Sequence, residues 1–85
     1  MSMIIRSPER ARAIMHDIAH ITHGYVQTLS NGTHDTFIKV TSTKGDIALW
    51  SHDIDDCEIV VIREHPNVSR YLLNLETRRQ LRRML

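Results

Sequence analysis

The chain has 85 residues and a net charge of +1, with 41% hydrophobic and 25% charged residues. It is too apolar to stay disordered, and its charge is too small to mark a nucleic-acid binder by global basicity, so any electrostatic function must rest on a local patch. The length suits one domain, 1–85, with no separate catalytic lobe. So small a core buries only about 60 to 65% of the unfolded chain's surface, which makes a homo-oligomer the natural way to cover more.

The single cysteine, Cys57, cannot close an internal disulfide, and the opening MSMIIRSPER lacks the apolar core of a secretory signal. Together they point to a reducing, cytoplasmic setting. The longest apolar runs, 47–50 and 59–62, are far shorter than the roughly 20 residues of a membrane-spanning helix, so no membrane partner is expected.

In chain order, Ser7-Pro8-Glu9 reads as a helix start, with a capping hydroxyl, a proline suited to the first helical position and an acid that complements the dipole. Ala11, Ile14, Ile18 and Ile21 then share a face as far as about His23, and Gly24 supplies a left-handed stop. From Tyr25 the pattern turns to short β-rich runs. Strands are predicted at 25–29, 36–41, 46–51 and 58–63, separated by Asn31-Gly32, Lys44-Gly45 and the acidic stretch 53–56. Residues 3–5 are a candidate short edge strand. Ile59-Val60-Val61-Ile62 is apolar on both sides, which predicts a strand covered on both faces.

Beyond His65-Pro66-Asn67, the residues Val68, Tyr71, Leu72 and Leu75 fit one helical face, while Tyr71-Leu72-Leu73 also reads as strand. In the helical reading, Leu81, Met84 and Leu85 define an apolar side that does not continue the earlier one, which predicts a break near Asn74. The fold class is therefore α+β: an N-terminal helix, a four-stranded antiparallel meander, and one or two C-terminal helices packed on the sheet.

His16-Asp17-Ile18-Ala19-His20 resembles the HExxH motif of zinc metalloproteases with Asp for Glu. In that motif two histidines one turn apart bind zinc and the carboxylate activates water. Aspartate is one methylene shorter, and His23 stands where the longer metzincin motif has Gly. His16, His20 and His23 also lie opposite the apolar face, so they read as solvated or interfacial groups, with a loose metal or pH-sensitive site as the alternative. A fourth ligand would have to come from elsewhere, such as His34 or His52. Cys57 lies among Asp55, Asp56 and Glu58, which suppress a thiolate, so it reads as a small half-buried residue at a strand start. The Asp53-x-Asp55 spacing lacks the glycine of a calcium loop, and the three glycines form no phosphate-cradling cluster. No cofactor and no small-molecule substrate is implied.

The strongest functional pattern is Arg78, Arg79, Arg82 and Arg83, which span an arc of about 140° on one helix and suit phosphates or carboxylates in bidentate geometry. Residues 70–85 hold five arginines and one glutamate, whereas 53–64 hold five acids and one arginine, so the two stretches could also satisfy each other within or between copies. The sequence reading is a small non-catalytic interaction or regulatory protein, homo-oligomeric, with an accessory nucleic-acid binder using the Arg face as the alternative. A metal-dependent hydrolase is the remote third.

Overall fold

A computed structural model describes residues 3–30, 36–52 and 57–84. The elements run β1 (Met3–Ile4), α1 (Pro8–Thr22), β2 (Tyr25–Ser30), β3 (Thr36–Ser42), β4 (Gly45–Ser51), β5 (Glu58–Val61) and α2 (Pro66–Met84). The Asn31-Gly32 turn, His34, the acidic stretch 53–56 and Leu85 lie outside the described residues.

The sheet is antiparallel throughout with strand order β1-β5-β4-β3-β2, an α+β arrangement with five strands instead of four. The fifth is β1, whose two residues pair Met3 with Ile59 and Ile4 with Glu58. Because cross-strand partners share a face, register alone sorts the side chains. Met3, Ile59, Trp50 and Ile38 form one row, Val61, Ala48, Val40 and Val26 the next, and both point at the helices. Ala11, Ile14, Met15, Ile18 and Ala19 of α1 meet these rows, joined by Val68 and Leu72 of α2.

Helix α1 starts as its sequence dictates. Ser7 is extended (φ −88°, ψ 120°), its hydroxyl accepts from the Arg10 amide at 3.3 Å, and it donates to Glu9 Oε2 at 3.0 Å. Its end differs from expectation, because His23 and not Gly24 takes the left-handed conformation (φ 56°, ψ 34°). Gly24 is needed for another reason: a Cβ there would sit 2.5 Å from the carbonyl oxygen of Thr41, the β3 residue paired with Tyr25 at the start of β2.

Two other expectations are corrected. Helix α2 runs without a break through Asn74. The apolar arc shifts because only its first half packs on the core, whereas Leu81 and Met84 are exposed. The strand expected at 58–63 ends at Val61 and is covered on one face only: Val60 and Ile62 are 45% and 52% exposed because both helices lie on the other side.

Trp50 ties the N-terminal edge to this frame. Its indole N–H is shared between the carbonyls of Ile5 and Cys57, each at 2.9 Å, while the Ile5 amide donates to the same Cys57 carbonyl at 2.9 Å. Cys57 adopts φ 46°, a left-handed value that only the surrounding bonds make tolerable for a residue with a Cβ. It is buried, as a strand-start residue, and its thiol lies 3.4 Å from the His52 carbonyl.

Candidate functional site

The two helices lie antiparallel on the same sheet face. Near the end of α1, His20 and His23 flank a groove with Asn67, Arg70 and Tyr71 of α2, and the Tyr71 hydroxyl donates to Asp17 Oδ2 at 2.6 Å. At the opposite end, the last turns of α2 come alongside the first turn of α1 and the residues leading into it. A cleft of about 390 Å³ opens there, lined by Ile4, Ile5, Arg6, Arg10, Arg79, Arg82 and Arg83.

Five arginines from three chain segments thus line one hollow with an aliphatic floor, and no acidic residue is among its described lining residues. Among the described residues, the two acids nearest in sequence to these arginines, Glu9 and Glu76, lie outside the lining. Glu9 has a carboxyl pKa held below its ordinary value by its own backbone N–H, then by the Ser7 hydroxyl, with Arg12 as its charged neighbour. Glu76 borders the adjoining hollow that Arg79 and Arg83 share with Met3 and Ile4. Among the described residues the one ion pair within 4.0 Å is Lys39–Asp46 at 3.6 Å, far from this cleft in the sheet. Arg79 is fixed in place, donating from Nη1 to the Ile4 carbonyl at 3.1 Å.

Of the arginines singled out by sequence, Arg79, Arg82 and Arg83 converge here, while Arg78 falls outside the cleft, on the side of α2 where its charge reaches the Tyr71 phenol. Arg6 and Arg10 escaped the sequence reading. Their spacing across a helix cap carries no signal of its own, and only the antiparallel docking of α1 and α2 brings them to the chain's other end.

The histidines stay apart from any comparable arrangement. His16, His20 and His23 are exposed, Asp17 is committed to Tyr71, and His52 lies against the Trp50 ring at 5.7 Å. Among the described residues no group of three or more His, Cys, Asp or Glu side chains is placed to hold a metal ion. No helix among them is long and apolar enough to cross a membrane.

Compared with protein-family models, with curated proteins and with solved structures, the chain matches none.

Proposed function

We propose that this protein is a non-catalytic binding module whose arginine-lined cleft takes the phosphate backbone of a nucleic acid. The observation that carries the reading is the convergence of Arg6, Arg10, Arg79, Arg82 and Arg83 with no acidic residue among the described residues that line the cleft. Like charges gathered this closely repel one another, and a polyanion relieves that repulsion by bridging them. Guanidinium forks match phosphate oxygens in bidentate geometry and are weakly hydrated, so they give up water readily. Nucleic acid is favoured over an acidic protein by charge density: a duplex presents one negative charge per roughly 1.7 Å of axis, which suits five cations in one hollow. A reducing, cytoplasmic setting, where the buried Cys57 thiol stays free, accords with such a partner.

The test is fluorescence anisotropy with single-stranded and duplex oligonucleotides over roughly 50 to 200 mM salt. The double variant Arg82→Gln, Arg83→Gln should bind more weakly to every sequence, and its logarithmic salt slope should fall by about 0.7 to 0.9 for each lost contact. Arg12→Gln, outside the cleft, should behave as the parent. No binding at the low-salt end, or equal losses in both variants, would overturn the proposal.

A further inference from the structure

Strand β2 forms one edge of the sheet and β1 the other, and the two edges are not equivalent. The β1 edge is blunted: it is two residues long, and Arg79 occupies the Ile4 carbonyl. The β2 edge is six residues long, Tyr25-Val26-Gln27-Thr28-Leu29-Ser30, with no charge, no proline and no bulge in its pairing with β3. Natural edges are kept from pairing by charges, prolines, bulges or shortness, and β2 has none of these. On the face away from the helices its outermost side chains are apolar and open, Tyr25 at 55% and Leu29 at 52% exposure.

We infer that β2 pairs antiparallel with β2 of a second copy of this chain, joining two five-stranded sheets edge to edge. Directly opposed residues in an antiparallel pair must share a face, so a twofold axis through the strand has to pass through a residue position. Centred on Gln27, the register sets Tyr25 against Leu29 of the partner subunit, and Leu29 against Tyr25 of the partner subunit. Each is an aromatic–aliphatic cross-strand pair, the kind that stabilises sheets, and together they cover Tyr25 and Leu29, the exposed large apolar side chains of this edge. The contact is isologous, and because the β1 edge is blunted the assembly closes at two copies instead of growing into a filament. A pairing of one short strand is small beside the roughly 1,000 Å² of a stable interface, so the dimer should be reversible and concentration-dependent.

The terminal strip of α2 is the poorer alternative for self-association. Leu81 and Met84 are exposed, but they share the last turns with Arg82 and Arg83, so pairing there would press two arginine clusters together. The β2 edge lies at the far side of the sheet from that cleft and leaves it open.

Sedimentation of the full chain between roughly 5 and 200 µM should show a shift from the 9.9 kDa monomer toward twice that mass. Gln27→Lys, which sets two like charges on the axis, should weaken the dimer at least about tenfold without altering the monomer's fold by circular dichroism. Gln27→Cys should form a covalent dimer under mild oxidation, because opposed positions of an antiparallel pair lie about 4.5 to 5.5 Å apart at Cα, within disulfide reach. Thr43→Cys, on the exposed turn before β4, should not form one at the same concentration. A strictly monomeric chain, species larger than a dimer, or equal cross-linking of the two cysteine variants would each overturn the inference.

Discussion

Arg79 donates to the main-chain carbonyl of Ile4, and this 3.1 Å bond spans 75 positions of sequence. It joins the end of α2 to the edge strand β1, and so fixes one wall of the arginine cleft to its floor. Arg79→Ala should therefore cost about 1 kcal/mol of stability, the net value of one exposed hydrogen bond with its packing, whereas Arg82→Ala should stay within about 0.5 kcal/mol. Urea denaturation of the two variants side by side measures the difference. Equal effects would mean that the Arg79 bond contributes nothing.

The Trp50 indole is the second tie to β1. Trp50→Phe keeps most of the apolar volume but removes the N–H shared by the Ile5 and Cys57 carbonyls, leaving the Ile5 carbonyl without this donor in the core. Unfolding free energy should drop by about 2 to 3 kcal/mol, combining a lost buried hydrogen bond with imperfect filling. Amide exchange adds the location: protection of the Ile5 amide, bonded to Cys57, should fall more than that of the β3–β4 amides.

At the α1–β2 junction neighbouring residues should respond in opposite senses. Gly24→Ala places a methyl group against the Thr41 backbone and should destabilise by about 1 to 3 kcal/mol, since main chain cannot swing aside. His23→Gly relieves a left-handed residue of its Cβ and should be neutral or stabilising by up to about 1 kcal/mol. Thermal melts of the pair decide it, and a stabilising Gly24→Ala would contradict the close approach.

These sites also show where sequence was legible. The start of α1 and the cores of β2, β3 and β4 follow from caps, alternation and turn residues, which act over a few positions. Pattern alone puts the left-handed residue at Gly24, one position beyond His23, because a glycine after a helix fits either a left-handed stop or a close approach, and only the distance to Thr41 shows that the second applies. Residues 3–5 hold too few positions for alternation to define a strand, since β1 exists through the bonds of Ile5 to Cys57 and of Trp50 to Ile5. The continuity of α2 was hidden because an amphipathic pattern records what a helix packs against, and this helix outruns its core. Three of the four arginines of the expected arc reach the cleft. Arg78 lies at the end of that arc, and Arg6 and Arg10 enter from a segment that no local pattern links to α2.

Tyr71 and Asp17 provide a prediction in pH. The phenol pKa is raised well above its ordinary value near 10, first by burial and then by the hydrogen bond to the Asp17 carboxylate. Below pH 10 the phenol is protonated in both folded and unfolded chains, so the bond contributes fully. Above it the unfolded chain releases the proton and the folded chain retains it, so stability falls as pH rises, by at most about 1.4 kcal/mol per pH unit from this group. Tyr71→Phe lacks the titration. It should be less stable than the parent by about 1 kcal/mol at neutral pH, a figure kept small because the pair is partly solvated, and the gap should close as pH climbs beyond 10. Asp17→Asn removes the carboxylate that opposes phenolate formation, so a phenol titration followed by ultraviolet absorbance should show Tyr71 ionising at lower pH than in the parent. A parent and Tyr71→Phe whose stabilities remain parallel through the alkaline range would show that the Tyr71–Asp17 bond does not tie α2 to α1.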